Sequence, residues 1–212
     1  MGMDGLESKI NLFRSVSDFS VSDYDNINSF GSLLIPHIPQ ITEQFYERLA
    51  AEPETAQYIE GRVEELKRTH IKWLEDLFSG NLDEVFVESQ LRIGRAHVEA
   101  KVPPLFVAAS LSYMRSVFPQ IIERQIYGSV NGVGALAGTV LKILDLCQFL
   151  IDYAYEQDRF DRITRATGLS LPLLENLIAL KPRTSAGKTS GDLPSVPVRQ
   201  EPLSGTSATS LT

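Results

Sequence analysis

Along the first 160 residues, apolar positions recur at intervals of three and four, which is the spacing of one buried face of an α-helix. This pattern predicts five helices in the first part of the chain, near residues 22–34, 38–50, 53–61, 62–79 and 83–102. Two longer helices follow, over about 104–128 and 132–160. Alternation with period two never extends beyond a few residues, so a substantial sheet is not expected. The predicted fold class is an all-α bundle of seven to eight helices.

The two long helices carry more apolar surface than one compact domain of this size needs. At 1.5 Å per residue they span roughly 35 and 40 Å. Surplus apolar helix usually packs against a second subunit, so we expect a homodimer that forms through these two helices. Asn131, Lys142 and Asp145 interrupt the most apolar stretch, which leaves no uninterrupted apolar run of 18 residues, and we expect no membrane span.

The two ends of the chain differ from its helical part. We predict one folded domain over 1–160, in which residues 1–20 form a poorly ordered leader. Residues 161–180 hold a short apolar helix, at 171–180, that could dock on the domain or on a partner protein. From residue 181 to 212, 18 of 32 residues are Gly, Pro, Ser or Thr, which provides too little apolar surface to offset the entropy cost of ordering. We predict a disordered tail there.

Charge and cysteine content narrow the class of protein. The chain has 20 Lys and Arg against 27 Asp and Glu, a net charge of -7, which disfavours binding to nucleic acid or to an acidic membrane surface. Cys147 is the sole cysteine, so an intramolecular disulfide and a CxxC site are excluded. The first 14 residues lack the apolar run of a signal peptide. We therefore expect a cytoplasmic protein.

The supply of residues for metal or acid–base chemistry is small. The chain has three histidines, His37, His70 and His97, and it lacks an HExxH motif, a nucleophile elbow and a glycine-rich phosphate loop. No catalytic residue is predicted. His37 lies between two prolines and is interpreted as a surface junction residue without a role.

Two histidines lie on helices beside apolar residues. His97 has Ile93 on its side, and Gly94 removes a side chain nearby, so a flat ligand could approach this helix closely. His70 shares an apolar face with Trp73. Spacing alone favours ordinary roles, a hydrogen-bonded histidine at a helix end and a satisfied core histidine. Haem iron nonetheless needs only one neutral imidazole and an apolar wall, so an all-helical haem protein is compatible with this pattern.

Three segments carry a family resemblance over about residues 20–158. They are Phe45-Tyr46, the run LKRTHIKWL at 66–74 followed by LFSG, and RIGRAH at 92–97 followed by VPP at 102–104. Together they resemble the globin domain of globin-coupled sensors and the related protoglobins. The resemblance implies a globin-like fold that holds haem b and its iron.

The resemblance also implies roles for individual residues. His97 matches the proximal iron ligand, and Tyr46 matches the distal tyrosine that donates a hydrogen bond to a gas ligand such as O2. Thr69 and His70 fall where the family has its distal polar residue or a histidine that ligates ferric iron. Trp73 and Ile93 are expected to complete the cofactor pocket.

The chain departs from globin-coupled sensors after residue 160, where the fused transmitter domain is expected. We interpret the protein as a sensor globin that binds a diatomic gas, O2, CO or NO, without turnover, and signals through its dimer interface or a downstream protein. Two alternatives remain open at this point. One is a haem-free globin scaffold for protein docking, and the other is a haem enzyme such as a nitric-oxide dioxygenase or peroxidase.

Overall fold

The structure is a computed structural model, and it describes residues 3–80, 82–125 and 130–180. The all-α prediction is confirmed, because these residues form helices and contain no strand. The predicted tail over 181–212 lies outside the described residues. The α-helices are α1 (Met3–Ser17), α2 (Val21–Phe30), α3 (Ile38–Ala51), α4 (Pro53–Ile59), α5 (Val63–Leu77), α6 (Glu84–Glu99), α7 (Pro104–Gln125), α8 (Val130–Thr167) and α9 (Leu171–Ala179).

Helix α8 forms the centre of the domain. It packs against α2, α6 and α7, while α3 packs against α4, α5 and α7. Both kinds of contact bury apolar side chains, which is the main source of stability for helices of this composition. The fully buried residues of α8 are Val140, Ile143, Leu144, Cys147 and Leu150.

By length and composition alone, α7 and the part of α8 from Gly132 onward are each apolar enough to cross a membrane. Core helices of globular proteins meet the same test. In this structure α8 packs against α2, α6 and α7, and half of its most apolar stretch is buried.

The first residues do not form the poorly ordered leader that the sequence predicted. Residues 3–17 form helix α1, in which Leu6, Ile10 and Phe13 follow helical spacing and pack against the core. The ring of Phe13 lies 5.3 Å from that of Phe149 on α8, between centroids. This apolar stripe gives α1 a surface to bury, which stabilises a short helix more than its intrinsic propensity does.

The long last helix of the domain also extends beyond its predicted end. Residues 161–167, which were assigned to a separate C-terminal segment, continue α8. The helix ends at Gly168, whose φ of 71° suits a residue without a Cβ. The short helix α9 follows as predicted, and several of its apolar side chains are exposed, namely Leu173, Leu177 and Ile178.

A buried acidic residue joins α2 to α8. Ser20 caps the start of α2, and its backbone N–H donates to Asp23 Oδ2 at 2.9 Å. Asp23 also accepts from Thr139 Oγ1 at 2.6 Å and pairs with Lys142 Nζ at 3.1 Å. Burial alone would raise the pKa of Asp23, but these hydrogen bonds and the lysine charge lower it below its usual value.

Helix α6 begins at a capped end and crosses α8 closely. Asp83 caps this helix and accepts a hydrogen bond from the Phe86 N–H at 3.1 Å. At Gly94 an added Cβ would lie 2.6 Å from the Ala154 Cβ and 3.1 Å from the Ile151 carbonyl oxygen. The prediction that Gly94 clears space for a flat ligand is therefore wrong, because the glycine admits helix α8.

Replacing Gly94 with alanine is expected to lower the free energy of unfolding by about 1–3 kcal/mol, because the new methyl group overlaps the Ala154 Cβ and crowds the Ile151 backbone of α8. Gly138→Ala is the matched control. It lies in α8 with no atom within 4 Å of an added Cβ, so it should be neutral or slightly stabilising. Urea unfolding of both variants measures the difference, and equal stability would contradict the close crossing.

Candidate functional site

A cavity of about 280 Å³ lies among α3, α4, α5, α6, α7 and α8. We call it the central cavity. Its size is near the lower end of the range of about 300–1,000 Å³ that is usual for small-molecule sites. Its walls are mostly apolar and aromatic. The structure brings all six residues that the sequence singled out to this cavity: Tyr46, Thr69, His70, Trp73, Ile93 and His97.

His97 comes from the last turn of α6 and is held in one tautomer. Its Nδ1 lies 2.8 Å from the carbonyl oxygen of Ile93, one turn earlier. A carbonyl oxygen only accepts, so the ring must donate from Nδ1. A neutral ring of this kind carries its free lone pair on Nε2, which is the arrangement found in metal-binding histidines.

His70 comes from α5 and is enclosed by α3. Its Nδ1 lies 2.9 Å from Thr42 Oγ1, and its ring stacks on Phe45 with 5.0 Å between centroids and an interplanar angle of 22°. Burial lowers the pKa of His70 to about 4, so the imidazole is neutral at pH 7. A neutral imidazole can act as a metal ligand or as a hydrogen-bond donor, according to its tautomer.

Tyr46 on α3 supplies a hydroxyl donor. Its side chain is 7% exposed, and its ring meets the His70 ring edge-on with 5.9 Å between centroids. Burial raises the pKa of Tyr46 to about 12, so the hydroxyl keeps its proton at neutral pH. Since Tyr46 also lines the central cavity, this O–H group is placed to meet a ligand there.

The other predicted residues shape the walls. The Trp73 indole Nε1–H donates to Gln90 Oε1 at 3.0 Å, and Gln90 is 2% exposed. This bond fixes the indole against α6. Thr69 Oγ1 donates to the Glu65 carbonyl at 3.1 Å, so its hydroxyl is used within its own helix.

Several lining residues were not singled out from the sequence. Tyr58 and Ile59 reach the cavity from α4, and Phe106 and Met114 reach it from α7. Arg62, at the start of α5, is the one Lys or Arg among the described residues that line the cavity. It is exposed and lies 3.8 Å from Glu65. Helical spacing identified apolar faces, but which face closes the cavity depends on how the helices cross.

A larger open groove of about 950 Å³ lies where α1 meets the ends of α6 and α8. Two ion pairs lie in its lining, Lys9 with Glu156 at 3.7 Å and Arg162 with Asp158 at 2.6 Å. Within residues 3–80, 82–125 and 130–180, no group of three or more His, Cys, Asp or Glu could hold a bare metal ion. The central cavity, with two imidazoles, is therefore the candidate site.

Solved globin domains share this fold. The globin domain of a Geobacter sulfurreducens globin-coupled sensor matches with a TM-score of 0.64 at 24% identity, over 68% of this chain and 96% of that one. The globin domain of E. coli DosC, in its ferric form, matches with a TM-score of 0.58 at 12% identity, over 68% of this chain and 97% of that one. The described helices thus form a globin fold.

The sequence profile of the family described as Protoglobin matches residues 6–160. The chain therefore belongs to the protoglobin family, which confirms the resemblance drawn from the segments around Tyr46, His70 and His97. Comparison with curated protein sequences gives no match. Membership of this family implies haem binding and supports a sensor-globin role in general terms.

The neutral state of His70 makes the stability of the haem-free protein depend on pH. The imidazole titrates near pH 6.5 in the unfolded chain, whereas its folded pKa is about 4. Between these values only the unfolded state binds the proton. The free energy of unfolding should therefore fall as pH is lowered from 6.5 to 4, by up to about 3 kcal/mol from this residue.

Urea unfolding of the haem-free protein at pH 7.0 and 4.5 tests this dependence. His70→Gln should lose less stability on acidification than the wild type, because glutamine does not titrate and the variant therefore lacks the histidine with a lowered pKa. His37→Gln is the control and should behave as the wild type. Parallel pH profiles for the wild type and His70→Gln would contradict the burial of a neutral imidazole.

Proposed function

We propose that the central cavity binds haem b through His97 and that the protein is a gas-sensing globin whose ligand is O2. The observation that carries the proposal is the Nδ1–H hydrogen bond from His97 to the Ile93 carbonyl, which leaves Nε2 free at an apolar cavity. Haem iron requires one such neutral imidazole from the protein. Family membership supports the same cofactor.

The remaining residues of the cavity fit a haem group. Aromatic and aliphatic side chains from six helices supply apolar walls suited to a porphyrin. Arg62 at the rim offers a guanidinium for a carboxylate, and we assign it to a haem propionate. We assign Trp73 on α5 and Ile93 on α6 to the walls that flank the haem ring.

Bound haem would supply an iron coordination position for a diatomic gas. The protein's own groups determine which gas is favoured. The Tyr46 hydroxyl is protonated at neutral pH and lies in a mostly apolar cavity. A donor in such surroundings favours a gas that draws negative charge onto its outer atom, and O2 does so more than CO.

His70 is the second candidate ligand. It lies on α5, lines the same cavity as His97, and its ring is neutral. We propose that His70 ligates the iron in the ferric state and gives way to a gas in the ferrous state. Thr69 beside it forms part of the rim.

A sensor must pass the ligation state to a partner. Helix α6, which holds His97, crosses α8 at Gly94, and Tyr155 on α8 donates to the Val102 carbonyl at 2.7 Å. We propose that α7 and α8 form a homodimer interface and that two ligation states favour different packings there. We propose that the exposed apolar side chains of α9 contact a downstream protein. We also propose that the protein acts in the cytoplasm and catalyses no reaction.

Replacing His97 with alanine should weaken haem binding more than about 100-fold, because the variant removes the iron ligand itself rather than a group that orients it. Hemin titration followed by absorbance measures the affinity. His37→Ala is the matched control, since His37 lies outside the cavity lining, and it should bind haem as the wild type does. An unchanged affinity and ferrous spectrum in His97→Ala would refute the proximal assignment.

Replacing Tyr46 with phenylalanine should speed O2 dissociation about tenfold, the effect of one hydrogen bond to a partly charged acceptor. CO dissociation should change much less. Tyr24→Phe is the control, because its hydroxyl accepts from Arg14 at 3.3 Å, away from the cavity. Stopped-flow measurement of both gases tests the assignment, and equal O2 rates in Tyr46→Phe and wild type would remove Tyr46 from the site.

A further inference from the structure

The two cavity histidines differ in what their Nδ1 atoms contact. The partner of His97 is a carbonyl, which accepts only and holds the ring in a single tautomer. The partner of His70 is the hydroxyl of Thr42, at 2.9 Å, and a hydroxyl both donates and accepts. His70 is therefore held in place without being restricted to one tautomer.

Thr42 is built into the core behind His70. It is 1% exposed, lies one turn before Tyr46 on α3, and is not among the residues that line the central cavity. Phe45, on the same helix, stacks on the face of the His70 ring. Because Thr42 fixes one ring nitrogen and Phe45 covers one face, helix α3 orients the imidazole.

We propose that Thr42 is a positioning residue that lets His70 serve in two ways through Nε2. When Nδ1–H donates to Thr42 Oγ1, Nε2 carries a lone pair and can bind a metal. When the hydroxyl turns and donates to Nδ1, Nε2 carries the proton and can donate to a gas in the cavity. The inference rests on the proposed haem function and goes beyond it, since it assigns a role to a residue that touches neither haem nor gas.

The exchange converts one neutral form of the His70 ring into the other, so no neighbouring group has to change its charge. In passing from the second form to the first, Nε2 gives one proton to water and Nδ1 takes one from water, while the Thr42 proton stays on its oxygen and only its direction changes. Neither form leaves Nδ1 without a hydrogen bond, which would be costly in a buried site. A carbonyl in the place of Thr42 would allow only the first form, and an N–H group only the second.

Thr42→Val tests the role, because it keeps the branched shape and removes the hydroxyl. In ferric protein with haem bound, the ratio of low-spin to high-spin absorption should fall about fivefold, and O2 dissociation from ferrous protein should rise about fivefold, the size of one buried hydrogen bond. Thr42→Ser restores the hydroxyl and should bring both values within about twofold of wild type.

Thr139→Val is the matched control. Thr139 is equally buried, at 1% exposed, and its hydroxyl also makes hydrogen bonds, but it lies between α2 and α8. The variant should lose stability while both haem readouts stay at wild-type values. A change of the two readouts in Thr139→Val as large as in Thr42→Val would assign the effect to general loosening and overturn the proposal.

A second readout uses the haem-free protein. The ¹⁵N shifts of the His70 ring report the populations of its two neutral tautomers. Thr42→Val should change their ratio at least about twofold, and Thr42→Ser should restore it. If Thr42→Val does not fold, the comparison of Thr42→Ser with wild type still decides the matter, because tautomer shifts outside the wild-type range in the serine variant overturn the proposal.

The outcomes distinguish a failure of the proposed haem function from a failure of the role assigned to Thr42. Wild-type protein that takes up no haem contradicts the proposed function. Haem uptake with unchanged spin ratio, O2 dissociation and tautomer ratio in Thr42→Val overturns the role of Thr42 alone. Parallel changes in the three readouts, reversed by serine, support it.

Discussion

The hydrogen bond from His97 Nδ1 to the Ile93 carbonyl is the interaction on which the functional argument depends. It uses only the backbone of the helix that carries the histidine, so its 2.8 Å geometry follows from helical spacing of four residues. It makes Nε2 the free nitrogen at an apolar cavity. Without it, the ring could rotate or take the other tautomer, and the site would lose its defined metal-binding atom.

The rest of the fold holds this histidine and its opposite wall in place. Gly94 allows α6 to lie directly on α8, so the helix that bears His97 is supported by the most buried helix of the domain. At the same cavity, Thr42 and Phe45 on α3 hold His70. The cavity thus has one histidine with a fixed tautomer and a second for which both tautomers can be hydrogen-bonded. This difference provides a physical basis for a constant proximal ligand and a changeable distal one.

Much of the fold could be predicted because helical periodicity is local. Tyr46, His70 and His97 were found together because each lies in a short segment typical of the family. Other features depend on contacts between distant segments. In the sequence, Gly94 indicates that a neighbouring group approaches its helix closely, but it does not identify that group. In the structure the neighbour is α8 and not a ligand. Thr42 could not be linked to His70, because the two residues are 28 positions apart on different helices.

The central claim is that the folded chain binds haem through an imidazole at an apolar site, and titration of hemin into the purified wild-type protein tests it most directly. Absorption spectra of the ferric, ferrous and carbonyl forms should show saturation at one haem per chain and a carbonyl form typical of histidine-ligated haem. A polypeptide that stays colourless and leaves the hemin spectrum unchanged would contradict the account and leave a helical docking scaffold as the function.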